Sequence, residues 1–351
     1  MNTPFNNEQR DNRHIAIWLL MVCTLIFAMV VLGGVTRLTH SGLSMVDWKP
    51  VTGILPPMSD TEWLAEFEQY KQSPEYLKIN KAKGMGVEEF KSIFWFEYGH
   101  RLLGRTIGLA FLLPFLFFLA LGKIKRKMVP RYLIMFILGG LQGVLGWYMV
   151  KSGLVDKPSV SQYRLTAHLL AAISIYVFIF WHVLSLWNSN RVPASDSRAR
   201  GLKKHGLIVS GLIIVMIISG GFVAGTKAGY TFNDFPFMHG SLLPPGGLSL
   251  QPWWLNFLEN LATIQFTHRV LAIVVMFVVL SYVIRGWKNR AIDSSTHNLF
   301  TLLLLMLIVQ LALGVTTLIY VVPVALGAAH QAGALLLLTI AVMSNHRLRA
   351  H

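Results

Sequence analysis

Four histidines stand near the starts of four long apolar segments, and their pattern repeats between the two halves of the chain. His100 and His268 are each followed by an arginine, while His168 and His330 are each preceded by an alanine. An imidazole placed in hydrocarbon is costly, so it usually has a partner or a function. Two such pairs predict two sites, each holding an iron porphyrin between two helices.

The composition that surrounds these histidines is typical of an integral membrane protein. Apolar residues make up 54% of the 351 residues, and charged residues only 13%. Eight apolar segments are long enough to cross a bilayer, which takes about 20 residues per helix. We number them 1 to 8, over roughly 15–35, 98–121, 132–150, 165–187, 206–225, 265–284, 299–321 and 327–345. Segment 1 has no small-residue cleavage site and is too long for a cleavable signal, so we expect it to remain.

The net charge of +15 is distributed unevenly among the connections. The N-terminus, the even-numbered connections and the C-terminus hold 17 Lys and Arg against 4 Asp and Glu. The odd-numbered connections, counted with Glu97, hold 11 against 12. Loops rich in Lys and Arg face the cytoplasm, which predicts that both termini are cytoplasmic. No recognition module accompanies the basic runs, so we expect no nucleic-acid partner.

Cys23 is the single cysteine. One thiol excludes an internal disulfide, an iron–sulfur cluster and a cysteine-ligated zinc site. The sequence also has no Cys-x-x-Cys-His motif, so a haem in this chain would be held without covalent attachment.

Further motifs repeat together with the histidines. The matched pairs are His100 and His268, Gln142 and Gln310 (both 168 residues apart), and Gly33-Gly34 and Gly220-Gly221 (187 apart). Four segments per half give both halves the same orientation. The repeat therefore predicts an all-α integral membrane protein whose eight transmembrane helices form two tandem four-helix bundles, related by a parallel pseudo-two-fold axis. We assign residues 1–190 to the first half and 191–351 to the second, and we expect all four histidines to lie toward the outer face.

The first outer loop, 36–92, has the pattern of a structured element. Ser59-x-x-Glu62 resembles a capping box, and Trp63, Phe67 and Tyr70 then recur on one helical face. This predicts a short helix on the membrane surface over the first half. Whether it only covers that half or also gates it stays open at this point.

Glu97 is the main difference between the halves. It lies one turn before His100, and the matching position in the second half is Gln265. A carboxylate near hydrocarbon is costly unless it is paired or used. We interpret the first half as the reacting site and the second as an electron-carrying site. The alternative is a structural ion pair of Glu97 with Arg101 or Arg105.

Two arginines, Arg101 and Arg269, directly follow a histidine of the quartet. They are candidate partners for porphyrin propionates, although long cationic side chains also extend toward lipid headgroups without a ligand. Of the remaining histidines, His182 is interpreted as a packed core residue. The others are expected to be solvated in loops or tails: His14, His40, His205, His239, His297, His346 and His351.

Three stretches of the sequence resemble the haem A synthase family, in its proteobacterial and mitochondrial class. They are Gly33-Gly-Val-Thr-Arg-Leu-Thr-His-Ser-Gly-Leu-Ser44, Trp48-Lys-Pro…Gly53-Ile-Leu-Pro-Pro57 and Glu97-Tyr-Gly-His-Arg-Leu-Leu-Gly-Arg105. The family oxidises a methyl group of haem O to a formyl group, which makes haem A for terminal oxidases. One class of the family has a cysteine pair in the first outer loop, and this chain has none.

The resemblance implies a role for each candidate residue. His100 and His168 would hold the iron of the substrate haem, and His268 and His330 that of a permanent haem b. Glu97 would lie beside the reacting porphyrin. It further implies a multi-pass protein of a bacterial inner membrane, with haem O synthase and cytochrome oxidase assembly factors as possible partners and an unidentified electron-transfer partner.

Two other classes of protein compete with this interpretation. A di-haem b-type electron-transfer subunit would carry two histidines about four turns apart on each of two helices, and only His168 and His182 have that spacing. A transporter would share the internal repeat but needs broken helices and polar residues at mid-membrane, whereas the histidine quartet lies near one face.

Overall fold

The computed structural model describes residues 4–47, 53–155, 158–187, 197–290 and 292–349. Of residues 4–6 and 197–200 only the backbone is described. Ten α-helices run through these residues: α1 Pro4–Leu38, α2 Asp60–Tyr70, α3 Val87–Ala120, α4 Val129–Lys151, α5 Gln162–Trp187, α6 Ser197–Thr226, α7 Asn256–Glu259, α8 Leu261–Trp287, α9 Ser294–Ile319 and α10 Val324–Arg349. The expected boundary between the halves, 190/191, lies outside the described residues, as does Trp48-Lys-Pro50.

Eight of these helices are long and apolar enough to cross a membrane: α1, α3, α4, α5, α6, α8, α9 and α10. They correspond one to one to the eight predicted segments. Large apolar side chains on the outside of the bundle, such as Leu113 and Phe277, are about 60% exposed and suit contact with lipid. The prediction of an all-helical membrane protein is confirmed, and an even number of crossings places both termini on the same side.

The eight helices form an inner group and two outer pairs. Helices α1, α5, α6 and α10 pack against one another, α3 and α4 pack on the side of α1 and α5, and α8 and α9 pack on the side of α6 and α10. Buried side chains such as Leu19, Ile179 and Leu338 fill the single large core that joins them. Each half is thus a ring of four helices, and each ring contributes two helices to the inner group.

The contacts of the two rings correspond. Helix α1 packs on α3 and α5 as α6 packs on α8 and α10, and α4 joins α3 to α5 as α9 joins α8 to α10. These equivalences support the tandem repeat, which we keep as a proposal.

A short helix covers the loop side of the first ring, as the sequence predicts. The Ser59 side chain accepts from the Glu62 backbone N–H, and Glu62 accepts from the Ser59 backbone in return, which completes the capping box. Trp63 and Phe67 pack against Phe90 and Phe94 of α3 with ring centroids 5.0–6.5 Å apart. The Glu88 and Glu89 side chains lie in the first turn of α3, where carboxylates are favourable.

Candidate functional site

Each of the four histidines lies against a glycine of the neighbouring helix. A Cβ built on Gly33 of α1 would come 3.2 Å from the His100 ring, and one on Gly146 of α4 would come 3.0 Å from the His168 ring. The second half repeats this, with Gly220 against His268 at 3.3 Å and Gly314 against His330 at 3.0 Å. Since a Cβ at any of these positions would press on the ring, the glycines let each imidazole approach a helix backbone closely.

The two histidines of a pair come from helices on opposite sides of their ring. Among the described residues, α3 and α5 have no extensive packing against each other, and neither have α8 and α10. Nevertheless His100 and His168 are near enough to interact electrostatically, as are His268 and His330. Each ring thus brings one pair of imidazoles together from opposite sides, and ligation of a single group by each pair stays a prediction.

A glutamine contacts the backbone at one histidine of each pair, and the two glutamines occupy matching positions of the two halves. The Gln142 side chain donates to the His168 backbone carbonyl at 2.7 Å, and Gln310 donates to the His330 carbonyl at 3.0 Å. Each amide ties an outer helix to the histidine-bearing helix, so it fixes the position of the ligand backbone. The Nδ1 atom of His168 is buried without a hydrogen-bond partner, whereas that of His268 is 3.1 Å from the Ser219 hydroxyl.

The donor set of each ring suits a haem better than a bare metal ion. No three side chains of His, Cys, Asp or Glu gather into a metal-binding group in the part of the chain that the structure describes. Two imidazoles alone are too few to hold a bare ion, but they would hold an iron porphyrin, whose ring nitrogens supply the remaining ligands. The space beside Gly33 and Gly146, and beside their counterparts, is taken by the imidazoles themselves, which can therefore lie against the helix backbone. The residues present therefore fit the predicted group.

Glu97 lies at the centre of a hydrogen-bonded cluster and is only 3% exposed. Its Oε2 accepts from the Ser44 N–H at 2.7 Å, from the Ser44 hydroxyl at 2.7 Å and from the Met45 N–H at 2.9 Å. Its Oε1 accepts from Arg101 at 2.6 Å. The ion pair that the sequence left open is therefore made with Arg101, and the carboxylate also holds the end of the loop after α1.

Arg101 and Arg269 make equivalent contacts. Arg101 donates to the backbone carbonyls of Met45 and Asp47 at 2.9 and 3.1 Å. Arg269 donates to those of Phe232 and Asp234 at 3.0 Å each. Met45 and Phe232 are 187 residues apart, which is the spacing of the glycine pairs. Both arginines thus hold the loop that follows the first helix of their half. The third candidate, Arg105, lies one turn after Arg101 in α3 and is half-buried.

The position that matches Glu97 has the opposite hydrogen-bonding polarity. Gln265 donates its amide to the Phe232 carbonyl at 3.0 Å, where Glu97 accepts from the Met45 N–H. The loop of the first half therefore presents backbone donors, and that of the second half presents an acceptor. Composition could not show this, because it depends on the path of the loop backbone.

Of the histidines expected in loops or tails, His14, His205 and His297 lie in α1, α6 and α9 but are not buried, and His351 lies outside the described residues. His182 is buried with both ring nitrogens engaged, 3.0 Å from the Tyr132 hydroxyl and 3.3 Å from Arg131, which confirms a packed core residue. His346 was expected to be solvated, and that expectation is wrong. It lies in the last turns of α10, packed against Trp181 and 3.1 Å from the Ser185 hydroxyl. Because α10 continues for four residues beyond segment 8, this histidine faces the core.

Comparison with known proteins places the chain in a family. A family model described as COX15-CtaA, cytochrome oxidase assembly protein, matches residues 16–342. The haem A synthase of Nitrosospira multiformis is 52% identical over 338 residues, which cover 95% of this chain and 93% of the relative. That of Parvibaculum lavamentivorans is 45% identical, covering 97% and 96%. The haem A synthase COX15 of Arabidopsis thaliana is 46% identical, covering 95% and 74%. Since the family model and these relatives span nearly the whole chain, it belongs to the COX15-CtaA family of cytochrome oxidase assembly proteins.

Proposed function

We propose that this chain is a haem A synthase, a membrane oxidoreductase that converts one methyl group of haem O to a formyl group. The observation that carries the proposal is the pair of histidine sites, each with two glycines and one glutamine. Relatives of similar length bear the name haem A synthase. The change at the carbon corresponds to two successive hydroxylations followed by loss of water from the gem-diol; each hydroxylation is a two-electron oxidation whose oxidant lies outside this chain, at the unidentified electron-transfer partner.

The two sites are given different roles. His100 and His168 bind the iron of haem O in the first ring, and His268 and His330 bind a resident haem b in the second. When bound, haem b supplies a one-electron redox centre within the same protein. The chain holds its own ligands in place: Gln142 and Gln310 fix the backbone at His168 and His330.

Glu97 supports the assignment of the reacting site to the first ring. It is buried one turn from His100 and held at both oxygens, so its negative charge has a fixed position relative to that ligand. A fixed carboxylate suits either stabilisation of positive charge developing at the substrate carbon or positioning of water. Gln265 at the matching position carries no charge, which suits a site that only transfers electrons.

The cellular setting follows from the charge distribution and the substrate. We place the protein in a bacterial inner membrane with both termini in the cytoplasm and the histidine sites toward the outer face. Haem O must come from an enzyme that adds an isoprenoid chain to haem, and haem A must pass to factors that assemble the oxidase. Within the described residues the di-haem electron-transfer alternative is not favoured, since His182 is engaged by Tyr132 and Arg131.

Expression in a host that makes haem O but not haem A tests the proposal. The wild-type protein should yield haem A on pigment extraction and mass analysis. His268→Ala and His330→Ala should each remove most of the co-purified haem b, because each removes one of the two imidazoles that would hold the iron. His182→Ala is the matched control and should retain haem b. Absence of haem A from the wild type, or unchanged haem content in both ligand variants, would contradict the proposal.

A further inference from the structure

A cavity of about 590 Å³ opens between the ends of α4 and α5 on the side of the bundle that carries the histidines. Its wall is formed by two cations, two aromatic rings and two smaller residues: Arg164, Lys151, Trp147, Tyr148, Ser152 and Val155. None of these lining residues is acidic. Asp156 and Lys157, in the connection between the helices, lie outside the described residues.

Both cations are positioned by aromatic rings. The Arg164 guanidinium lies 3.7 Å from the centroid of the Tyr148 ring and donates to the Tyr148 carbonyl at 2.8 Å. The Lys151 ammonium lies 5.0 Å from the centroid of the Trp147 ring. A guanidinium has five donors in a planar fork that matches a carboxylate. Stacking holds the fork in one orientation, so less side-chain freedom is lost when an anion binds.

The cavity lies beside the first histidine site. Arg164 is one helical turn before His168 on the same face of α5, a rise of about 6 Å. Trp147 follows Gly146, the residue that contacts the His168 ring. Arg164 therefore lies about one turn from the residue proposed to hold the substrate iron, while neither His100 nor His168 lines the cavity itself.

The second half has no such pair of cations. The residues at the matching positions are Val315, Thr316, Ile319 and Leu326. The arginines that the halves do share, Arg101 and Arg269, donate to backbone carbonyls of their own loops. The cationic cavity is thus a difference between the rings that lies close to the substrate iron ligand.

We infer that Arg164 and Lys151 bind the propionate carboxylates of the substrate haem. The inference rests on the proposed function and names the residues that recognise the anionic edge of the substrate. Propionates are the charged groups of a haem, and at a membrane surface they need cationic partners. The resident haem b, in the ring without this cavity, is held by other contacts.

Binding rather than turnover tests the inference. Purified full-length protein that retains its haem b is titrated with ferric protohaem and, separately, with its propionate dimethyl ester, and first-site binding is followed by absorbance. Arg164→Gln/Lys151→Gln should weaken binding of protohaem by about tenfold or more, the scale of lost charge-assisted hydrogen bonds. The ester should bind wild type and variant alike. Arg164→Lys should recover part of the loss, and Arg126→Gln/Lys127→Gln, exposed before α4, is the matched control.

Two results would overturn the inference: equal binding of protohaem and its ester to wild type, or unchanged protohaem affinity in the double variant. Failure of the proposed first site would be recognised separately. In that case His100→Ala would bind protohaem as wild type does, whatever the result at Arg164 and Lys151. An unchanged haem b spectrum in each variant shows that the protein remains folded.

Discussion

At the scale of single residues, the environment of Glu97 answers a question that the sequence left open. The carboxylate pairs with Arg101 and also accepts three hydrogen bonds from Ser44 and Met45. An anchoring role is therefore present in the structure. It does not compete with the proposed role in turnover, because the same contacts fix the charge beside His100.

Replacement of Glu97 by Gln should separate these roles. The amide would place a donor where the Ser44 and Met45 donors point, so we expect haem A output to fall by roughly 10²-fold or more. Haem b should remain, since its ligands are in the other ring. Ser44→Ala is the matched variant: it keeps the carboxylate but removes one donor, with a cost of about 1 kcal/mol. Haem A output measured by mass analysis should fall less in Ser44→Ala, and normal output from Glu97→Gln would contradict the role in turnover.

Glu75 should make the covering loop sensitive to pH. Burial, followed by the negative charge of Glu97, raises its pKa from 4.5 to about 7, while a hydrogen bond from Tyr70 and the charges of Lys227 and Lys83 oppose the shift. A folded-state pKa above the unfolded value favours the folded loop fully below pH 4.5, and this contribution is lost as pH rises through 7.

The measurable consequence is a loss of protection with rising pH. Over that window the loop should lose at most roughly 3 kcal/mol of stability, at 1.36 kcal/mol per pKa unit. Limited proteolysis of 60–85 should accelerate between pH 5 and 8 in the wild type. Glu75→Gln, which cannot ionise, should show a flat profile; an equally steep profile in that variant would exclude Glu75 as the cause.

At the scale of elements, α2 is attached by aromatic packing. Trp63 is buried to 8% exposure against Phe90 and Phe94, whereas the adjacent Leu64 is 51% exposed. We expect Trp63→Ala to cost about 3–5 kcal/mol locally, the range for a buried aromatic. Hydrogen exchange at 60–70 should then rise strongly, while Leu64→Ala should leave it unchanged. Similar exchange in the two variants would mean that α2 is held by other contacts.

The glycines beside the histidines give a second test at this scale. Gly314→Ala should lower co-purified haem b, because the new Cβ would come 3.0 Å from the His330 ring. Alanine favours a helix over glycine by about 0.5–1 kcal/mol, so the loss could not come from helix propensity. Gly140→Ala in α4 is the control, since its Cβ would meet nothing within 4 Å. The haem b content of the two variants is compared from their absorbance spectra. Full content in Gly314→Ala would show that haem b binding does not need the close approach of the His330 ring to Gly314.

At the scale of the whole molecule, the two rings are joined through the inner helices. Arg37 of α1 donates to the Ala224 carbonyl of α6, and Gln331 of α10 donates to the Val30 carbonyl of α1 at 2.6 Å. Arg37 and Ala224 are 187 residues apart, the spacing of the glycine pairs. The junction thus joins matching positions of the two proposed halves, and described residues from both of them contribute to one hydrophobic core.

The orientation of the bundle in the membrane is open to direct measurement. We expect the loop 36–92, with α2, on the outer side, because the connections richest in Lys and Arg face the cytoplasm. Cysteine accessibility in a Cys23→Ala background, with single cysteines at Leu64 and Arg126, should label Leu64 from outside and leave Arg126 protected. The reverse labelling would invert the proposed orientation and place the haem chemistry on the cytoplasmic side.

Much of this protein is determined by its sequence alone. Apolar length defined the eight spans, because a bilayer tolerates little else, and helix capping and aromatic spacing located α2. Repetition of motifs selected four of the twelve histidines. These features are local or periodic, so they can be read without knowing which helices meet.

Tertiary structure decided what depends on the path of the chain between helices. The backbone donors at Ser44 and Met45 that hold Glu97, the carbonyls that hold Arg101 and Arg269, and the burial of His346 all follow from how loops and helix ends pack. Arg164 and Lys151 likewise form one cavity only because α4 and α5 meet at their ends. Residues distant in sequence become partners through packing, and a linear pattern carries no information on such distances unless the pattern itself repeats.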